Sequence, residues 1–407
     1  MDFQDSPEEA AFRAECAGWL AENAPAKVTG EGPASLFGEE AESGTEDAYI
    51  RRAKAWQAAK FDAGYAAITW PKEFGGREGT PMQSIIFNQE QSHYDVPTTP
   101  YIIGLGMVAP TIRTHGTPAQ RERYLEKMLR GEEIWCQLFS EPGAGSDVAS
   151  LSTLAVRDGD EYVLTGQKVW TSGAQYSDFG EIICRTEADA PKHRGITAFI
   201  VDMKAPGVTV RPLRQMTGGA SFNEVFFDEV RVPADQMLGE LNKGWGVAIT
   251  TLMNERVTIG SGGGAGGSSA RFVDLARRRG LAGDANVRQR IAQLHIHTRI
   301  PKYNGWRTLT AVSNGGVPGP EGSIGKLFGG ETLTLIAELS MQLVGASGIA
   351  DAGDGLFDWN QIVLGNPGMH LAGGTDEVMK NIIGERVLGL PGEPRVDKDV
   401  AWKDIPK

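Results

Sequence analysis

The hydrophobic period of this chain changes twice, and that double switch constrains the fold more than any other feature. From Ser6 to about Arg130, apolar residues return every three or four positions, as in Phe12, Cys16, Trp19 and Leu20, with Pro and Gly clusters between the runs. Within this region Trp70-Pro71-Lys72-Glu73-Phe74-Gly75-Gly76 reads as a turn. Between about Ile134 and Pro233 the pattern becomes short β-branched and aromatic runs broken by Gly, Asp and Pro: Tyr162-Val163-Leu164, Ile182-Ile183-Cys184, Ile196 to Val201 and Val225-Phe226-Phe227. After Gly239 the helical period returns and persists to Leu390, with loops expected at Asn314 to Gly322 and Gly365 to Gly368. Helices, then strands, then helices predict segregated domains, an α+β arrangement, rather than units alternating around a parallel sheet. A chain of 407 residues also exceeds what one core holds. The expected division is an N-terminal α-helical domain at 1–132, a middle β domain at 133–239 and a C-terminal α-helical domain at 240–407.

Charge and cysteine usage remove several function classes. The net charge is −12 and neither terminus carries a basic run, which argues against nucleic acid binding by counterion release. The apolar runs are too short for membrane insertion, and the acidic start MDFQDSPEEA has neither a basic nor an apolar leader region, so a cytoplasmic location is expected. Cys16, Cys136 and Cys184 lie far apart without CxxC spacing, which disfavours a disulfide framework and a thiolate metal site. His295 and His297 point to different helix faces, and no metal site is expected. Gly262, Gly264 and Gly267 form a formal GxGxxG, but the preceding residues Gly244 to Ile259 have helical period. The strand that gives those glycines a dinucleotide role is missing, so we reject that site and read the patch as small residues permitting close helix contact.

Two segments in the β region carry chemistry. Leu138-Phe139-Ser140-Glu141-Pro142-Gly143-Ala144-Gly145-Ser146-Asp147 combines a backbone that can approach a flat ring with short hydroxyl donors, or else is a surface turn. Gly166-Gln167-Lys168-Val169-Trp170-Thr171-Ser172-Gly173 offers an aromatic wall beside two more hydroxyls, or else a buried core tryptophan. Their order and separation are more specific than either part.

Together with Gly373-Gly374-Thr375-Asp376-Glu377-Val378 and the run from Asn381 to Pro391, these segments resemble the acyl-CoA dehydrogenase family over essentially the whole chain. The early Trp-Pro-Lys-Glu-Phe-Gly-Gly turn and Arg231-Val232-Pro233 share in the resemblance. It implies an N-terminal α-helical domain, a middle β-barrel and a C-terminal four-helix bundle, with FAD between the last two and a neighbouring subunit. It further implies that Ser140 and Ser172 hydrogen-bond the flavin, that Trp170 flanks it, and that Leu138, Gly145, Ser146 and Thr171 belong to the cofactor site. Ser146 would also touch the pantetheine or phosphate end of CoA. Gln342, Val344, Gly345, Thr375 and Glu377 resemble contacts to the FAD adenosine and pyrophosphate. The implied partners are an acyl-CoA substrate, an electron-transfer flavoprotein, and other subunits in a homotetramer or an α2β2 heterotetramer. The latter arrangement is known for branches acting on bulky thioesters such as sterol side chains.

Desaturation between the α and β carbons needs a base for the α-proton while hydride leaves the β-carbon, and a carboxylate with a raised pKa suits that task. Many members of the family place this glutamate two residues before the threonine of the C-terminal Gly-Thr loop; here that position is Gly373. A minority carry it on the first helix of the C-terminal domain, where this chain has Asn254-Glu255-Arg256. Glu255 is therefore the expected base. Ala248, Thr251, Leu252, Ile259 and Gly262 lie three, four or seven positions from it, so the carboxylate shares a helix face with small or apolar residues. The alternative role for Glu255 is half of a buried ion pair. By resemblance Asn254 and Arg256 line the substrate site, and the backbone N–H of Gly373 helps to hold the thioester oxygen. Arg277-Arg278-Arg279 replaces an Arg-x-x-Phe-Gly signature that reaches FAD of the adjacent subunit, leaving open which arginine, if any, contacts the cofactor.

Overall fold

A computed structural model describes residues 5–27, 45–260, 269–313 and 319–405, without the side chains of residues 256–260, 309, 312 and 313. The N-terminal third is helical: α1 (Pro7–Asn23), α2 (Glu46–Asp62), α3 (Pro81–Gln91), α4 (Ala109–His115) and α5 (Pro118–Arg130). Three of these begin with the same device, Ser or Thr followed by Pro and then Glu or Gln. Ser6 with Glu9, Thr80 with Gln83, and Thr117 with Gln120 each exchange side-chain and backbone hydrogen bonds across the first turn. The Trp70–Gly76 segment is a turn, as expected, with a short 3-10 piece at Lys72–Phe74. A Cβ on Gly76 would lie 2.0 Å from the Trp70 carbonyl oxygen, so only glycine closes it. A π-helical turn, Gly104–Val108, leads into α4.

The middle segment contains eight strands: β1 (Trp135–Leu138), β2 (Leu154–Asp158), β3 (Glu161–Ser172), β4 (Phe179–Arg185), β5 (Ile196–Asp202), β6 (Val208–Leu213), β7 (Phe222–Pro233) and β8 (Met237–Leu238). They form one sheet in the order β6-β7-β3-β2-β4-β5-β8, with β1 parallel to β4. All four runs named from the sequence fall inside strands. One side of the sheet encloses its own core, with Leu164, Phe199, Val225 and Val230. The other side shares a core with helices, including Ile112 of α4, Leu125 of α5 and Val247 and Ala248 of the next helix.

The C-terminal helices are α6 (Gly244–Gly260), α7 (Ser269–Arg278), α8 (Ala285–Ser313), α9 (Gly322–Val344), α10 (Asn360–Leu371) and α11 (Asp376–Ile382). Helix α9 packs against α6, α8, α10 and α11 and forms the axis of this bundle. The loop expected at Gly365 to Gly368 is not there: α10 passes through it, with Pro367 inside the helix and Gly365 buried. Packing of α10 along α9 outweighs the hydrogen bond that Pro367 cannot donate, which local sequence signals do not register. The glycine patch Gly262, Gly264 and Gly267 lies outside the described residues; the helix before it is observed, as expected. The three cysteines are buried and free. Among the described residues no helix is long and apolar enough to cross a membrane, and no group of three potential ligands could hold a metal.

Candidate active site

Strand β3 and the loop after β1 are brought together at the sheet end. The amide of Val169 donates to Ser140 O at 2.9 Å, joining the Ser140–Asp147 loop to the Trp170–Ser172 strand. Tyr162, Leu164 and Lys168 all occupy the inward positions of β3, so Lys168 is carried to full burial by the period-two alternation. Its ammonium donates to Phe139 O at 3.0 Å and to Glu141 Oε1 at 2.9 Å. Glu141 also accepts from the amides of Ser152 at 2.6 Å and Thr153 at 2.9 Å. Burial alone would raise the Glu141 carboxyl; the Lys168 charge and these bonds override it and hold the group below its ordinary value. This buried pair anchors the start of the loop to β3 and, through Glu141, to the backbone at Ser152 and Thr153. Neither residue was singled out from the sequence, although an inward-facing lysine on an alternating strand was a readable signal.

Between Lys168 and Thr171 the pairing of β3 with β7 slips, and Trp170 sits in that bulge at φ +60°. A left-handed tryptophan in a bulge is strained, and such strain concentrates at functional positions. The side chain is 61% exposed and touches Phe222 edge-on at 6.1 Å. It is thus a presented aromatic wall, and not the buried core tryptophan that the sequence left open. Ser140 and Ser172 are half-buried beside it, Leu138 and Thr171 are buried, and Gly145 and Ser146 are exposed.

Helix α6 reaches this region because Gly244 lets its first turn lie against β5: a Cβ there would meet the Ala198 nitrogen at 2.5 Å. Val247, Ala248 and Thr251 are buried, and Leu252, Asn254 and Glu255 are half-buried. Glu255 therefore follows a small and apolar face by one turn, as its spacing predicts. The side chains of Arg256 and Ile259, and Gly262 itself, lie outside the described residues. Asn254 donates to the Thr250 carbonyl at 2.9 Å, and Thr250 Oγ1 lies 2.8 Å from His115 Nε2, which ties α6 to the end of α4.

One turn before Glu255, Thr251 Oγ1 lies 2.8 and 3.0 Å from the carboxyl oxygens of Glu181 and 2.9 Å from Thr111 Oγ1. Thr111 in turn donates to Met107 O at 2.9 Å. Glu181 is wholly buried, and burial pushes its carboxyl up to about 8, with the Thr251 hydroxyl opposing. A neutral carboxylic acid thus links the middle sheet, α6 and the π turn. Sequence reasoning missed Glu181; a lone acid inside the apolar run of β4 was the available signal.

The remaining predicted residues lie at opposite ends of α9: the Gly373 turn against Lys326 near its start, and Gln342, Val344 and Gly345 at its last turn, so within one chain they form two groups. Gly373 and Gly374 have φ of +67° and +88°, and Thr375 caps α11 by accepting from the Val378 amide at 3.2 Å. The turn is held by Asp376, which accepts from Lys326 Nζ at 2.9 Å and pairs with His370 Nδ1 at 2.6 Å. Glu377 and Gln342 are exposed, Val344 is buried and Gly345 ends α9 at φ +58°. Of the three arginines, Arg279 donates from Nε to Leu343 O at 3.1 Å, capping α9 beside the predicted Val344 and Gly345. Arg277 pairs with Asp274. His295 and His297 diverge as expected, toward Ser269 and Phe328 respectively.

Comparison with known proteins agrees with this layout. Family models described as the N-terminal, middle and C-terminal domains of acyl-CoA dehydrogenase match residues 6–132, 136–230 and 242–388. Acyl-CoA dehydrogenase FadE34 of Mycobacterium tuberculosis is 40% identical over 82% of this chain and 46% of its own length, so the chain spans about half of that relative. Acyl-CoA dehydrogenase IpdE1 of the same organism is 36% identical over 94% of this chain and 98% of its own length. Among solved structures, the Tcur3481-Tcur3483 steroid ACAD has a TM-score of 0.78 at 28% identity, covering 97% of this chain and 100% of that one. The ChsE4-ChsE5 complex from Mycobacterium tuberculosis has a TM-score of 0.74 at 29% identity, with the same coverage. With three domains matched in order and a relative aligned almost end to end, this chain belongs to the acyl-CoA dehydrogenase family, whose members are flavin-dependent oxidoreductases.

Proposed function

We propose that the chain binds FAD and desaturates an acyl-CoA thioester between its α and β carbons, with Glu255 as the α-proton base. The observation that carries the reading is the exposed Trp170, held in a strained bulge beside Ser140 and Ser172 by the buried Lys168–Glu141 pair. A flat, partly apolar ring with hydrogen-bonding edges fits such a wall. FAD, when bound, would accept the hydride from the β-carbon. Ser140 and Ser172 would bind its edge, with Leu138, Gly145, Ser146 and Thr171 completing that side. Gln342, Val344, Gly345, Thr375 and Glu377 would take its adenosine and pyrophosphate.

Glu255 would take the α-proton on a carboxylate oxygen, its basicity raised when the thioester excludes water from the half-buried site. Asn254 and Arg256 would flank the substrate, and the Gly373 N–H would hold the thioester oxygen, a task that needs no side chain. Ser146 would meet the pantetheine arm. We also propose domain boundaries near 132/133 and 239/240, a cytoplasmic setting, and delivery of electrons to an electron-transfer flavoprotein.

For the substrate we propose a bulky, steroid-derived acyl group, on the strength of the steroid ACAD likeness. Ile349, Leu371, Leu388 and Leu390 are each exposed on the C-terminal domain, apolar positions that subunit contact would cover. A homotetramer and an α2β2 assembly would both cover them. The ChsE4-ChsE5 likeness favours the second, and co-purification with a second dehydrogenase-type chain tests it.

Anaerobic addition of acyl-CoAs to purified protein tests the central reading. Steroid-derived thioesters should bleach the flavin, and Glu255→Gln should bind them without reduction. Equal reduction of variant and wild type would remove Glu255 from the role; activity confined to short straight chains would sink the substrate assignment.

A further inference from the structure

The C-terminal segment 396–405 runs back over the middle domain instead of ending at the bundle. Asp397 accepts from Lys192 Nζ at 2.5 Å, and the same ammonium donates to Asp147 at 2.7 Å. The Lys192 side chain is only 9% exposed, so one buried cation is shared by carboxylates from two remote parts of the chain. Further along, Ala401 bridges Pro191, and the Trp402 indole donates to Ser150 O at 3.2 Å. The Trp402 ring also lies 4.9 Å from the Arg185 guanidinium. Arg185 donates to Ala149 O at 2.6 Å and to Lys192 O at 2.8 Å. The tail therefore grips from outside the same two loops that Arg185 ties together from within.

Ser146 is exposed and immediately precedes Asp147 in the gripped loop. Gly143 and Gly145 leave the rest of that loop thin, with open space where a Cβ would stand. We propose that residues 397–402 are a strap that sets affinity for the CoA thioester by holding the Ser146 turn, with Asp397 as a positioning residue acting through Lys192 and Asp147. This rests on the reading of Ser146 as a contact to the pantetheine arm. A turn already ordered before binding costs the ligand less than one that must be ordered on arrival. The strap therefore acts on binding and leaves the Glu255 chemistry alone.

The test is Asp397→Ala with Asp397→Glu as the conservative partner, assayed on the flavin-loaded enzyme. In Asp397→Ala, assayed at saturating FAD, KM for the acyl-CoA should rise about tenfold with kcat and Tm held, since lost pre-ordering appears as lost affinity. Asp397→Glu should restore most of that loss. Independently of turnover, hydrogen exchange should accelerate in peptides covering residues 140–153 of Asp397→Ala and not in α9. Unchanged KM and unchanged exchange would overturn the proposal, as would a joint fall in kcat and Tm, which would make Asp397 merely structural. If no acyl-CoA reduces even the wild type, the reading of Ser146 fails, whereas the exchange result still decides whether the strap holds the turn.

Discussion

Glu181 offers the most direct test of how the three domains are joined. Replacing it with Gln preserves the shape and the hydrogen bonding to Thr251 and removes the titrating proton. The residues facing it are uncharged: Gln137 and Ile200 are its register partners on β1 and β5, Thr111 approaches from α4 and Thr251 from α6. Burial therefore dominates, pushing the carboxyl from its ordinary 4.5 up to about 8. In the unfolded chain the proton leaves near the ordinary value; in the folded protein it stays until about pH 8. The folded state thus binds the extra proton between those limits, and stability falls as pH rises through them. At about 1.4 kcal/mol per pH unit, the loss reaches the order of 5 kcal/mol, and it levels off once both states are ionised. Urea unfolding followed by tryptophan fluorescence at pH 5, 7 and 8.5 measures it. Glu181→Gln should flatten the decline and exceed the wild type in stability at pH 8.5, with little advantage at pH 5. Parallel pH profiles for the two proteins would refute the reasoning, because they would mean that Glu181 ionises in the folded state without penalty.

Other substitutions separate packing from function. Lys168→Met leaves the Glu141 carboxylate buried without its cation and should cost on the order of 3–5 kcal/mol in urea unfolding. Trp170→Gly removes a side chain at a positive φ, so the Tm of the flavin-free protein should hold or rise, by roughly 1 kcal/mol in stability, while flavin affinity measured by titration falls. If both quantities fell together, the bulge would be serving the fold alone. Asp376 is half-buried, which alone would raise its carboxyl, yet His370 and Lys326 hold it below its ordinary 3.8, so it contributes stability that is present above that value and lost as pH falls through its lower folded one. Wild type should exceed Asp376→Asn in urea-unfolding stability near neutral pH, and that advantage should vanish as pH falls through the folded value of Asp376, because the Asn variant lacks the ion pairs at every pH; a constant advantage down to acid pH would refute this.

The amino-acid sequence by itself determined the order of helical, sheet and helical blocks, because hydrophobic period is a local property that survives without coordinates. It likewise determined the starts of α1, α3 and α5, whose capping residues lie within one turn of each other. The motifs around Ser140, Trp170 and Gly373 were legible only together, as a family resemblance carried by their order and separation; each taken alone left a surface turn or a core residue open. What the sequence could not supply was any relation between distant segments. The continuation of α10 through Pro367 depends on α9, and the placement of Arg279 at the end of that helix depends on a chain reversal. The pairing of Lys168 with Glu141 depends on β3 meeting the loop after β1. Glu181, Thr251 and Thr111 come from three different domains, and Asp397 meets Lys192 only because the tail folds back. Burial and hydrogen bonding of these charged and polar groups were decided by the tertiary structure, because the energy of such a group is set by what surrounds it in space and not by its neighbours along the chain.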